Sequence, residues 1–511
     1  MPSYTRKNAW NDGGTFDNPD LLWYAKGVGA MQARGLDDQN SWWFFAAIHG
    51  EYLTGETQFP GWQYIPAPPQ VPTTPLPSQS LQDLYWDQCQ HQSWYFAPWH
   101  RGYLLALEAQ IRAAVVSLGG PSDWALPYWN YFGPDDEYQI PPAFTLQTLP
   151  DGSANPLYVE ARFGPRGDSN IFVPIPPVEE TCEGNTVYTG SNPDTPAPGF
   201  GGPDTGFSHS GETSGNLESN PHNLVHVYVG GNAPNNNDLW GLMSDPGIAA
   251  LDPIFYLHHS NIDRMWAAWN ALGNGNPDDT NWLNGPAASG EREFAMPLPG
   301  GTSWVYTPAE VNSLDQLDYT YDDLTATATP QPSDRLARRL SRLGAPPAAA
   351  GTARGGTMVS PENAELVGSH DGALKITSAG ARATVKLDSG VRSRVSSRLG
   401  TASANNLPDR VYLQLENVCG TRDSYVLNVS VNQQRAGSVA LFGLRRATMK
   451  DGQHGGAGLT FVLDITDIVD NLHLDNALDA DALDVRIVPH DAVPAGEDIT
   501  VGRVSVYRRG E

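Results

Sequence analysis

Imidazole side chains that recur at fixed spacing among apolar neighbours are the residues of this chain best suited to do chemistry. His222 and His226, in Pro221-His222-Asn223-Leu224-Val225-His226, stand four apart, so on a helix both rings leave one face about one turn apart, as two ligands of one metal ion would. Zinc hydrolases with such a pair carry Glu directly after the first His; Asn223 stands there and disfavours that class. A second signal is Leu251-Asp252-Pro253-Ile254-Phe255-Tyr256-Leu257-His258-His259, continued by Ser260 to Trp266. Two adjacent histidines in so apolar a run are costly to bury unless their nitrogens are bonded or coordinated. Successive helical residues point about 100° apart, so one of the doublet is expected to ligate and the other to support it. A third signal joins Cys89-Gln90-His91, His100-Arg101 and, further upstream, His49 after Trp42-Trp43-Phe44-Phe45. Imidazole sets without a thiolate or carboxylate cluster suit copper, zinc, iron or nickel; grouping into two triads narrows the choice.

Holding these side chains requires rigid elements. Residues 101–116 lack Pro and are rich in Leu, Ala, Glu and Arg, which predicts a helix, and Met265, Trp266 and Trp269 recur at helical spacing over Ile262 to Leu272. Long Pro/Gly/Asn loops such as 66–77 and 192–215 separate the helices. Past Leu324 the composition shifts to Ala, Pro, Thr and Arg, with Arg335, Arg338, Arg339 and Arg342 clustered, which reads as a linker with room for one short basic helix. Beyond it, 410–415, 425–431 and 501–507 alternate apolar and polar residues with period two, as antiparallel strands do. The expected architecture is α+β and multidomain: a helical bundle over 1–324 holding the metal centre, a linker over 325–364, and an antiparallel β-sandwich over 365–511.

With 57 acidic against 31 basic side chains the formal charge is −26, which opposes nucleic acid and anionic lipid by repulsion and favours a small neutral or cationic partner. Only three cysteines occur, Cys89, Cys182 and Cys419, so no dense disulfide framework is expected. No run of about eighteen apolar residues appears, and Met1 to Asn8 lacks the apolar core of a signal peptide. A soluble, cytoplasmic protein is the expectation, with export alongside a partner protein left open.

Three stretches together resemble the tyrosinase, catechol oxidase and hemocyanin superfamily in its plant-type polyphenol oxidase form. They are the aromatic-flanked His91-x8-His100-Arg101, the stretch Leu126-Pro127-Tyr128-Trp129-Asn130, and Asp252-Pro253-x-Phe255-x-x-His258-His259-x-x-x-Asp263-Arg264-x-Trp266. The resemblance implies a dicopper centre with dioxygen as co-substrate: His49, His91 and His100 for the first ion, His222, His226 and His259 for the second, with His258 the neighbour of a ligand. It implies a thioether between Cys89 and His91, where the plainer reading is a small buried apolar residue. It gives Glu218 and Asn223 the ordering of a water that takes the phenol proton, against a plainer role for Glu218 as a helix cap.

Small phenols are the implied substrates. The implied activity is that of a tyrosinase, ortho-hydroxylation of monophenols and oxidation of o-diphenols to o-quinones. A catechol oxidase or o-aminophenol oxidase without the hydroxylase step would share every ligand, and a hemocyanin-like oxygen carrier is the rival outside catalysis. An aromatic gate is expected six residues before Asp252, where this chain has Pro246. Tyr319-Thr320-Tyr321 resembles the element that closes the catalytic core, with Arg6 as its partner. The C-terminal sandwich resembles the domain that covers the site in latent enzymes, with Leu441, Phe442 and Leu444 as candidate placeholders. A homo-oligomer is left open.

Overall fold

The computed structural model describes residues 2–50, 70–72, 74–190, 197–208, 211–234, 236–326, 332–345, 364–403, 406–450, 456–478, 481–494 and 496–510. The chain divides into two compact units. One comprises Met1–Glu183, Thr205–His209 and Leu217–Thr327, the other Gly184–Asp204, Ser210–Asn216 and Ala328–Glu511. Residues 184–204 and 210–216, expected in the first domain, thus cluster with the second unit.

The first unit is built on helices Pro19–Gln32, Trp42–His49, Phe96–Ser117, Leu224–Gly230 and Ile254–Ala271. Their starts are encoded locally. Asn18 accepts from Asp20 N with Pro19 in the first turn, and Ser41 accepts from Phe44 N. Helix Phe96–Ser117 begins five residues before the predicted start and holds Pro98 in its first turn, where an N–H has no intrahelical partner to lose. Helix Ile254–Ala271 also begins earlier than predicted. Asp252 Oδ1 accepts from Ile254 N at 3.0 Å, and Arg162 grips the carboxylate through Oδ1 at 2.6 Å and Oδ2 at 2.9 Å. Both histidines of the doublet therefore ride on one buried helix, whose residues Ile254 to Trp269 are all shielded from solvent. Helices Pro19–Gln32 and Phe96–Ser117 meet closely because Gly27 has no side chain: a Cβ there would lie 2.7 Å from Ile111 Cγ2.

A buried charge cluster clamps these helices together. Strand Tyr4–Arg6 pairs in parallel with Tyr319–Tyr321. Arg6 reaches Glu108 Oε2 at 2.7 Å and Asp263 Oδ2 at 3.2 Å, and its guanidinium sits 4.0 Å over the Tyr319 ring. Asp263 also accepts from Arg101 Nε at 2.5 Å and from the Tyr319 and Tyr321 hydroxyls at 2.6 Å each. Burial pushes the Asp263 carboxyl up, but Arg101, Arg6 and the two hydroxyls outweigh it and hold the group below the usual carboxylate range.

The second unit is a nine-stranded sheet, antiparallel throughout among the described residues. From one end its strands run Gln434–Ala440, Val426–Val431, Ala482–Pro489, Ala381–Leu387, Glu365–His370, Ile499–Arg509, Arg410–Cys419 and Leu459–Asp464, with Leu374–Ile376 added to Ile499–Arg509. The end strands approach one another: a Cβ on Gly437 would lie 2.9 Å from Leu463 Cδ2. The period-two pattern therefore produces two facing walls of one near-closed sheet, with Val411, Leu413, Leu427, Val429, Val485 and Val504 between them. Leu441 and Leu444 belong to this core; Phe442 is buried too, but not as part of that cluster.

Within the expected linker, Pro332–Arg342 is helical, and Arg339 pairs with Asp470 at 2.8 Å while Arg342 pairs with Asp467 at 2.6 Å and Asp470 at 2.8 Å. That part is fastened to the second unit; Arg354 and the rest of 346–363 lie outside the described residues. No helix among the described residues is long and apolar enough to cross a membrane.

Candidate metal centre

The six histidines singled out as ligands fall into two buried groups, His49, His91 and His100 with Cys89, and His222, His226 and His259 with His258; within each group the candidate ligand atoms lie within 4.8 Å of one another. His49 ends helix Trp42–His49, and its Nδ1 donates to the Pro246 carbonyl at 3.0 Å. His100 Nδ1 donates within its own helix to the Phe96 carbonyl at 2.7 Å. Donation from Nδ1 fixes the tautomer in which Nε2 keeps its lone pair for a metal. His91 lies on the loop before helix Phe96–Ser117. The Cys89 sulfur sits 3.5 and 3.6 Å from its two ring nitrogens, nearly equidistant, and 3.4 Å from His100 Nε2.

In the second group His222 lies in a wide helical turn, Glu218–Asn223, that runs into helix Leu224–Gly230 bearing His226. His222 Nδ1 is 2.8 Å from Asn223 Oδ1, and His226 Nδ1 donates to the Met243 carbonyl at 2.8 Å. The Nε2 atoms of both converge on His259 Nε2, at 3.2 and 3.3 Å. Nitrogens bound at about 2.0–2.1 Å around one tetrahedral ion stand about 3.3 Å apart, so the donor set fits a shared ion. Among the described residues His259 Nδ1 meets no hydrogen-bond partner; packing holds the ring, with Phe255 at 4.1 Å and His100 stacked at 4.5 Å.

His258 comes nearer to this group than a 100° fan between neighbours suggests. Its ring stacks on His222 at 5.3 Å, yet the short nitrogen approaches belong to His259. Burial drives His258 down to about 3, partly offset by the backbone of His222. Burial likewise lowers His100, His222, His226 and His259 well below the ordinary imidazole range, and neighbouring rings add to it. At neutral pH these rings are uncharged, the form that ligates metal. The two groups share a wall, with His91 and His222 centred 5.9 Å apart in addition to the His100–His259 stack.

Glu218 stands in the first turn of the helical segment Glu218–Asn223, with its carboxylate turned to the loop that bears His91. Its carboxylate accepts from Gln92 N at 2.9 and 3.0 Å and from Gln92 Nε2 at 3.2 Å. Asn223 contributes through His222. Sequence reasoning missed Gln92, Met243 and the role of Pro246; the last two act through backbone carbonyls, which no side-chain type announces. Pro246 was read only as the place of a missing aromatic gate. The aromatic rings beside the histidines come instead from Phe255, 4.8 Å from His49, and Phe96, 4.7 Å from His222.

Comparison with known proteins agrees with this geometry. Residues 39–272 match the model of the common central domain of tyrosinase, and 363–509 match a domain of unknown function. A tyrosinase of Hahella sp. (strain CCB-MM4) is 31% identical, over 98% of this chain and 99% of that protein. A chloroplastic polyphenol oxidase of Vicia faba is 30% identical over 52% of this chain and 40% of its own length. Among solved structures, a latent aurone synthase (polyphenol oxidase) matches with a TM-score of 0.58 at 20% identity, covering 99% of this chain and 89% of that one. Latent apple tyrosinase matches at 0.56 and 20%, covering 100% and 98%. Likeness at that level speaks for the fold, while the full-length relative carries the assignment: the chain belongs to the tyrosinase and polyphenol oxidase family of oxidoreductases.

Proposed function

We propose that this protein is a tyrosinase, which hydroxylates monophenols at the ortho position and oxidises o-diphenols to o-quinones with dioxygen at two copper ions. The observation that carries the metal assignment is the convergence of three neutral Nε2 atoms at 3.2 and 3.3 Å in the second group, beside a second histidine triad. His49, His91 and His100 would hold one ion and His222, His226 and His259 the other, with His258 supporting. Bound copper supplies the dioxygen activation and electron exchange that side chains cannot. The protein's part is to keep six imidazoles neutral and oriented, exclude bulk water, and accept the phenol proton. Glu218, fully buried and held by Gln92, accepts that proton through a water ordered with Asn223.

This proton step separates the reading from its rivals. A catechol oxidase meets a more acidic substrate and depends less on the base, and an oxygen carrier has no use for one. Glu218→Gln is expected to lower monophenol kcat/KM by about 10²-fold, and more than diphenol kcat/KM. Steady-state rates on the two substrates check this; equal losses would remove the hydroxylase role. Most of the excess acidic side chains lie before Leu324, which favours neutral or cationic phenols over carboxylated ones.

The Cys89 sulfur lies 3.5 and 3.6 Å from the two ring nitrogens of His91, a proximity that supports a thioether in mature enzyme. Intact mass should then fall by two hydrogens, and Cys89 should resist alkylation after denaturation and copper removal. Free alkylation would exclude the bond.

We assign the C-terminal unit a shielding role, with Phe442 the leading placeholder because Leu441 and Leu444 are used in its own core. Cleavage in the linker between about Thr325 and Gly356, at Arg338 or Arg354 for trypsin, is expected to raise the rate on small phenols. Arg338 stands on a helix that Arg339 and Arg342 pin to Asp470, which slows cutting there. A cut, copper-loaded enzyme with no gain in rate would contradict shielding.

A further inference from the structure

Gln92 follows His91 directly, yet the chemistry described so far gives it no part beyond holding a carboxylate. It does this with three contacts: its N–H to both Glu218 oxygens at 2.9 and 3.0 Å, and its Nε2 to Oε1 at 3.2 Å. Both residues are almost wholly buried, at 2% and 0% exposure, so bulk water does not compete for these bonds. Gln92 adopts a φ of 52°, a left-handed conformation that is costly for a non-glycine residue and persists where its surroundings over-determine it. That conformation presents the N–H to a carboxylate 126 residues further along the chain.

The loop is itself pinned on both sides of Gln92. His91 N donates to the Ser208 carbonyl at 3.2 Å, Ser208 N donates to Gln90 Oε1 at 3.0 Å, and Thr205 Oγ1 donates to Ser93 Oγ at 2.8 Å. A terminal carboxylate otherwise turns freely about its last torsion. Here a fixed backbone N–H and a side-chain amide define its plane.

We infer that Gln92 is a positioning residue that orients Glu218 to take the proton of a monophenol, so that the loop bearing His91 helps set the preference between monophenols and diphenols. This rests on the reading of Glu218 as proton acceptor. It assigns to residue 92 a share of substrate selectivity that neither the ligand set nor Asn223 carries.

The test uses copper-loaded, full-length protein. Gln92→Leu removes the side-chain donor at similar size, and Gln92→Gly removes it while accepting the left-handed φ without strain. Each is expected to lower monophenol kcat/KM about tenfold more than diphenol kcat/KM. In a Glu218→Gln background the loss should vanish, with the double variant no worse than Glu218→Gln alone. Copper content and melting temperature are read alongside, and two ions per chain are expected. If Glu218→Gln shifts the substrate ratio but neither Gln92 variant does, the positioning role is overturned and the base survives. Additive losses in the double variant, or copper loss in both Gln92 variants, overturn it as well. If Glu218→Gln itself leaves the ratio unchanged, the base reading falls and this inference with it.

Discussion

Replacing His259 by Ala is expected to empty the second copper position and to reduce oxygen consumption on an o-diphenol by more than about 100-fold, the upper end of what losing a merely supporting hydrogen bond costs a metal site. The reason is geometric. His259 Nε2 is the atom on which the Nε2 atoms of His222 and His226 converge, at 3.2 and 3.3 Å, and two imidazoles left alone form an open, weakly held site. His258→Ala is the matched control. It removes an equally buried ring one residue away, and two copper ions per chain should remain, with activity lowered by at most the effect of a lost support. Metal analysis of both variants decides between the neighbours. Full copper in His259→Ala, or loss of one ion in His258→Ala alone, would exchange their roles.

Asp263→Ala is expected to cost about 3–5 kcal/mol, because it leaves the buried Arg101 guanidinium without its counter-charge and Arg6 with Glu108 alone. Arg6 and Arg101 are both wholly buried, and the same substitution takes the carboxylate acceptor from Tyr319 and leaves Tyr321 with the Ser260 carbonyl. At about 1–2 °C per kcal/mol for a chain of this size, the melting temperature should fall by about 5 °C. Asp263 lies on the helix of His259, and Arg101 directly follows His100, so copper retention should weaken with it. The pH dependence has a definite sign. A carboxyl held below its ordinary value stabilises the fold fully above about pH 4 and loses that contribution as the pH falls through its folded pKa. A melting temperature within about 2 °C of the parent would mean the charges have found other partners.

Much of this was legible in the sequence because it is local. The His222/His226 spacing, the doublet in an apolar run and the period-two strands all follow from residue type and position. Both helices start earlier than predicted, with Pro98 in the first turn of one and Pro253 capping the other, places where a proline removes no intrahelical hydrogen bond. What stayed hidden depends on distant backbone. Nothing in the residue types says that Pro246 and Met243 offer carbonyls to His49 and His226, or that Gln92 turns its N–H toward Glu218. Periodicity likewise assigns faces to strands but does not say how far a sheet curls, so a sandwich was expected where the end strands nearly meet at Gly437 and Leu463.

The most direct test of the central claim is oxygen uptake by the copper-loaded protein, before and after cleavage in the linker, with a monophenol, an o-diphenol and an o-aminophenol supplied in turn. A tyrosinase consumes oxygen continuously with the monophenol as well as the diphenol, and faster after cleavage. Reversible oxygen binding without net consumption on any of the three, in cut protein that retains two copper ions, would contradict the enzymatic account.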